Sequence, residues 1–223
     1  MKISKSWLVL QFLIAVPVMM IILFWPAGTL NWAEAWTYIV LQLGYAIILT
    51  SYFLRHNPEM IRKRMAMKLP PRLWDKIVMS FVVVAMTSLL IIPGLDVRHG
   101  WSSIPAWLEA IGFIGFLISS YWIFLVMKEN SYLLKTVEIQ KNQKTVTTGP
   151  YKYVRHPMYA SSIVMVFSIA LALGSLYALI PAALSSLSLI VRTALEDKTL
   201  QKELKGYKAY TKKTRYRILP FVW

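Results

Sequence analysis

The sequence predicts an all-α, polytopic integral membrane protein: a helical bundle of five to six spans, ending in a helical hairpin and a cytoplasmic C-terminal helix. Three observations carry this. Hydrophobic residues make up 57% of the 223 residues and the mean hydropathy is +0.52, more than a water-facing surface allows. The apolar residues fall in long continuous runs rather than alternating, which favours helices over a barrel, the two structures that satisfy every backbone polar group in hydrocarbon. The 25 lysines and arginines cluster in alternate connecting segments, as cytoplasmic loops do.

Apolar runs lie at about 7–26, 35–54, 77–94, 104–127 and 158–194. The first follows MKISK like a signal peptide, but it reaches from Trp7 to Pro26 with no small-residue cleavage pattern behind it, so an uncleaved span is expected. The last covers 37 residues, about 55 Å of helix, too long for one crossing and barely enough for two. Gly174-Ser175 and Pro181 near its middle predict a tight hairpin. Two lysines fall in 1–6, seven basic residues in 55–76, one (Arg98) in 95–106, six in 128–157 and nine in 192–223. If the spans alternate, every basic segment except that of Arg98 faces one side, and both termini are cytoplasmic.

Residues 1–127 therefore read as N-terminal transmembrane helices and 128–223 as a chemistry-bearing region, within one integrated membrane domain. Segment 55–76 reads as a basic stretch resting on anionic headgroups. The net charge of +15 is explained by such loops, and no nucleic-acid partner is expected. There is no cysteine, which removes disulfides, Cys-ligated metals and a Cys nucleophile. The eleven methionines form no regular MxxM series, and no metal site is expected. Glu109 reads as interfacial, and Asp96, Arg98 and His99 as a polar turn on the outer side.

Polar information concentrates in 128–160 and 192–223. A tight hairpin returns its exit close to its entry, so Arg155, His156 and Tyr159 should lie near Arg192, Glu196 and Asp197. Pro157 suits the first turn of a helix, and a helix N-terminus beside Arg155 and His156 suits an anion. Arg192 and Glu196 share a helical face four residues apart. Taken structurally, the same residues would be a helix cap, an aromatic belt and a surface ion pair. Taken functionally, an Arg with a helix N-terminus, aromatic faces and a carboxylate match a carboxylate, a cationic centre and ribose hydroxyls. S-adenosylmethionine has that inventory. No phosphate-cradling glycine loop of the GxGxxG or GxxxxGK[ST] kind is present.

The segment from Glu129-Asn130 through GPYKYVRHPMY (Gly149–Tyr159), the Glu196-Asp197 pair, Gly206-Tyr207 with Tyr210, and the closing RYRxxP (Arg215–Pro220) resembles the isoprenylcysteine carboxyl methyltransferase family. The phrase from Gly94 to Ser102 is also similar to segments of prokaryotic members. The resemblance covers about the last 95 residues. It implies S-adenosyl-L-methionine bound by Tyr151, Arg155, His156, Tyr159, Glu196 and Asp197, with Gln143 a further contact. Departures are Asn142-Gln143 in place of Gly-His, Ser161 in place of Gly, and Asp197 in place of the second Glu. Arg192, Glu196 and His156 are the expected catalytic residues: Arg192 to orient a carboxylate acceptor, or His156 to take a proton from an amine or thiol. The expected activity is methyl transfer to a lipophilic, membrane-associated acceptor, foremost carboxyl O-methylation of an isoprenylcysteine-like lipid in a prokaryotic cell membrane. Alternatives are phospholipid N-methylation, thiol S-methylation, an NADPH-dependent reductase of the sterol-reductase type, and a non-catalytic membrane protein.

Overall fold

Proline and glycine set the helix limits, and apolar runs set their length. The computed structural model describes residues 5–65 and 69–223; Lys2 and Lys68 of the basic segments lie outside the described residues. Among the described residues eight α-helices follow in order: α1 (Lys5–Ala27), α2 (Ala33–His56), α3 (Pro58–Met65), α4 (Leu73–His99), α5 (Ala106–Glu129), α6 (Pro157–Ala172), α7 (Leu179–Glu203) and α8 (Tyr207–Lys213), with a short 3₁₀ turn at Gly149–Lys152 before α6. Pro58 and Pro157 each occupy the first position of their helix, where a missing N–H costs nothing.

Among the described residues, α2, α4, α5 and α7 are long and apolar enough to cross a membrane, while α1 and α6 contribute the shorter stretches Leu13–Ala27 and Pro157–Ala172. The expected five to six spans therefore depend on those two. At 1.5 Å per residue α6 is about 24 Å long, short of a hydrocarbon core of about 30 Å. Large apolar side chains such as Val40 (66% exposed) and Val84 (65% exposed) face outward from these helices, as lipid-facing residues do. The chain is an integral membrane protein.

The hairpin turns where the sequence predicts it. Gly174 takes φ +77°, a left-handed conformation that a side chain would strain, and the turn carries the chain from α6 into α7. Past the apolar run that ends at 194, α7 continues to Glu203, so the acidic pair rides on the same rigid helix as the span. Helices from both sides of residue 127 pack together: α5 on α6, α4 on α7 and on α1, and α6 on α7. The α5–α6 approach is close because Gly112 has no side chain; a Cβ there would come within 2.3 Å of the Ala172 backbone nitrogen. Small residues at such crossings supply the packing that drives helix association in lipid.

Two ends result. At one, the Arg98 side chain lies against Gly28, and Asp96 meets Ser102 and Ser175. At the other lie α3, the loop 130–156 and α8, with the basic segments around them.

Candidate functional site

The entry to α6 is fixed by the chain's last segment. The backbone N–H groups of Arg155 and His156 donate to the carbonyls of Tyr216 and Arg217 at 2.9 and 2.8 Å. The Arg155 guanidinium then grips Asp197 with two hydrogen bonds, Nε to Oδ1 at 2.8 Å and Nη2 to Oδ2 at 3.0 Å, and its Nη1 donates to the Thr214 and Arg215 carbonyls. Asp197 is fully buried and also accepts from Arg217 Nε at 3.0 Å, Gln201 Nε2 at 2.9 Å and the Tyr207 hydroxyl at 3.0 Å. His156 Nε2 lies 3.3 Å from both Asp197 Oδ1 and the Tyr207 hydroxyl. Burial, reinforced by the Asp197 charge, pushes the Tyr207 phenol well up, so it remains a donor. Asp197 is thus a hub that ties α6, α7, α8 and the closing RYR segment together.

One residue earlier, on a different face of α7, Glu196 Oε2 accepts the Tyr159 hydroxyl at 2.6 Å. The Tyr159 ring lies 5.9 Å from His156 in a stacked arrangement, and the Arg192 guanidinium sits 5.6 Å from its centre on the other count, a distance consistent with cation–π attraction. Arg192 does not form the surface ion pair with Glu196 that the purely structural reading of their four-residue spacing allows. It is buried, its Nε donates to Asp75 Oδ1 at 2.9 Å and its Nη2 to the Lys135 carbonyl at 2.7 Å. Tyr159, Glu196, Arg192 and His156 all line one cavity of about 280 Å³ at the basic end of the bundle.

The loop after α5 covers that cavity. Asp75, on the first turn of α4, accepts the Val137 N–H at 3.0 Å, while Arg72 Nε donates to the Val137 carbonyl at 3.2 Å, so both backbone groups of Val137 are pinned. The Asn130 amide donates to the Tyr151 hydroxyl at 2.8 Å, and Thr148 donates to Glu129, which explains the early Glu-Asn of the motif set. Burial pushes the Tyr151 phenol up. Gln143 lines the cavity, with its side-chain oxygen accepting the Gln140 N–H at 2.9 Å.

The structure therefore brings Gln143, Tyr151, Arg155, His156, Tyr159, Arg192 and Glu196 to one cavity lining. Asp197 is outside that lining, occupied by its hub partners. Sequence reading missed Asp75, Arg217 and Arg64. It also gave 55–76 to the headgroups, whereas Met60 and Ile61 of α3 are buried (1% and 4% exposed) against the bundle and Arg64 lines the cavity. No group of His, Cys, Asp or Glu that could hold a metal ion occurs among the described residues.

A bundle of lipid-facing helices with a cavity of mixed apolar and charged lining at one end has the build of a membrane enzyme. Residues 106–206 match the family model described as phospholipid methyltransferase, a little under half of the chain. The matched stretch runs from α5 to the end of α7 and contains the Tyr159–Glu196 pair. No curated protein matches the chain. The chain is a methyltransferase, and the reductase and non-catalytic alternatives give way to that. The match is to phospholipid methyltransferases rather than to the isoprenylcysteine carboxyl methyltransferases that the C-terminal motifs resemble; methyl transfer at a membrane is common to both.

Proposed function

We propose that the chain transfers the methyl group of S-adenosyl-L-methionine to the headgroup amine of a membrane phospholipid, with its basic end in the cytosol of a prokaryotic cell. The observation that carries this is the Tyr159–Glu196 pair facing a cavity within the matched residues, at the boundary between lipid-facing helices and the basic loops. The donor set fits the cofactor. Glu196 spends Oε2 on Tyr159, which leaves Oε1 for an ammonium or ribose hydroxyl, and the Tyr159, Tyr151 and His156 rings offer faces to an adenine or a sulfonium. The orientation rests on the positive-inside argument, since among the described lysines and arginines of the connecting segments only Arg98 lies at the opposite end.

Bound there against Glu196 and the Tyr159, Tyr151 and His156 rings, the cofactor would supply an electrophilic methyl group carried on a thioether leaving group. The residues have mainly to align donor and acceptor and exclude water. A headgroup ammonium must first lose a proton. Glu196 is the acceptor best placed for it, because His156 Nε2 is committed to Asp197 and Tyr207. Tyr159 holds the Glu196 carboxylate in place, and Arg192, fixed and neutralised by Asp75, shapes the wall beside Tyr159. Arg155 and Asp197 act as positioning residues, shaping the entry to α6.

Carboxyl O-methylation of an isoprenylcysteine-like lipid is the second reading, favoured by Arg192 on the cavity wall, where a guanidinium would orient a carboxylate and no base would be needed. Incubation of the purified chain with methyl-labelled S-adenosylmethionine and a membrane lipid extract tests both. Label in N-methylated phosphatidylethanolamine supports the first reading, and base-labile label in a prenylated-cysteine substrate supports the second. Absence of both transfer and cofactor binding overturns the proposal.

A further inference from the structure

Five lysines and arginines line the cavity, Arg64, Lys135, Lys144, Arg155 and Arg192, and they divide into two kinds. Arg155 and Arg192 are neutralised by buried aspartates, Asp197 and Asp75. Arg64, Lys135 and Lys144 are not: among the described residues, the ion pairs within 4.0 Å include none of them, and of the three Arg64 is on the most firmly anchored element. The one hydrogen bond that the Arg64 guanidinium makes is at the limit of length, Nη1 to the Leu133 carbonyl at 3.5 Å. Lys135 gives its backbone carbonyl to Arg192, and its exposed side chain is within electrostatic reach of Arg64.

Arg64 is not a swinging surface residue. It ends α3, whose Met60 and Ile61 are buried against Phe53 and Met127, so the helix that carries it is anchored. The side chain lies within electrostatic reach of Tyr45, Tyr151 and Tyr159, and it lines the same cavity as the Tyr159–Glu196 pair. Burial lowers the Arg64 pKa, and burial and then the Arg64 charge lower that of Lys135. Two like charges converging on a partly dry cavity destabilise it until an anion enters. A guanidinium presents paired N–H donors that match two oxygens of a carboxylate or a phosphate.

We propose that Arg64, seconded by Lys135, forms an anion subsite in this cavity, holding the carboxylate or phosphodiester of a ligand while Glu196 faces its cationic part. The identity of that ligand rests on the function proposed above; the subsite itself does not. A zwitterion bound this way spans the cavity from α3 to α7, with its negative end on the helix outside the family match and its positive end inside it.

The test uses the full chain in detergent, as wild type, Arg64→Gln, Arg64→Lys and Lys135→Gln. Inorganic phosphate, against chloride at equal ionic strength, should raise the melting temperature of the wild type and of Arg64→Lys but not of Arg64→Gln, with a reduced rise in Lys135→Gln. An equal rise in all four, or none in the wild type, overturns the subsite. If Arg64→Gln does not fold, the Lys135→Gln and Arg64→Lys comparison carries the same decision. The source of the anion is then read by two further arms. A tenfold or greater loss of S-adenosylhomocysteine affinity in Arg64→Gln, with methylthioadenosine affinity unchanged, assigns the cofactor carboxylate. A tenfold or greater rise in KM for vesicle phosphatidylethanolamine, with S-adenosylhomocysteine affinity unchanged, assigns the lipid phosphodiester. A phosphate response in a wild type that binds no S-adenosylhomocysteine would leave the subsite standing and sink the methyl-donor reading instead.

Discussion

The two ends of the bundle are closed by buried aspartates in different ways. At the Arg98 end, Asp96 accepts from the Ser102 N–H at 2.7 Å, the Ser102 hydroxyl at 2.6 Å and the Ser175 hydroxyl. All of these donors are neutral, and they clasp the α4 end, the α4–α5 link and the hairpin turn. At the basic end, Asp197 and Asp75 hold arginines and, through them, the α6 entry and the covering loop. Neutral clasps tie helices together and ask for nothing more. Guanidinium–carboxylate closure brings several charges into a small volume, and residues whose charges it does not neutralise, Glu196 and Arg64 among them, line the cavity. Function is expected at the end where charge is in surplus.

Four substitutions sharpen that contrast. The largest effect belongs to Asp197→Ala, which strands Arg155 and Arg217 without their carboxylate. Removing one partner of a buried ion pair costs about 3–5 kcal/mol, so thermal melting in detergent should show severe loss of stability and activity together. Asp75→Asn should come next. The amide oxygen can still accept from Val137, but Arg192 loses its counter-charge, and a loss of about 1–3 kcal/mol is expected, with the covering loop newly sensitive to proteolysis. Glu196→Gln should leave melting nearly unchanged, because Tyr159 keeps an acceptor. It should weaken S-adenosylhomocysteine binding about tenfold by calorimetry, about 1.4 kcal/mol; a melting loss as large as that of Asp75→Asn would make Glu196 a structural residue. Ser175→Ala should be mildest, removing one neutral hydrogen bond for about 1 kcal/mol, with methyl transfer unaltered in a radiolabel assay.

Much of this arrangement was legible in the sequence, and the omissions have physical causes. Helices were readable because apolar runs of spanning length have few other fates, and the hairpin because Gly174 interrupts one run too long for a single crossing. Bringing Arg155, His156 and Tyr159 to the acidic pair followed from hairpin geometry. Asp75 was not legible: it meets Arg192 from 117 residues away, and no local pattern marks such a pairing. Segment 55–76 was assigned to headgroups because a basic, partly apolar stretch has the same composition whether its charges face lipid or a cavity. Treating Glu196 and Asp197 as a unit was avoidable, since adjacent residues on a helix point about 100° apart. One faces the cavity and the other is sealed in the hub.

That angular relation also constrains evolution of the chain. From the hairpin turn to Glu203, α7 is uninterrupted, and its buried positions, Ala182, Ser185, Leu189, Arg192 and Thr193 among them, recur at three- and four-residue steps down to Asp197. The helix behaves as a screw whose thread is cut at both ends. A single residue inserted between Leu189 and Arg192 would advance the acidic end by about 1.5 Å but rotate it by about 100°. Asp197 would leave the hub while its neighbour swung away from the cavity. Length changes are consequently tolerable in the connecting loops and intolerable here, so related chains should align through α7 without a gap.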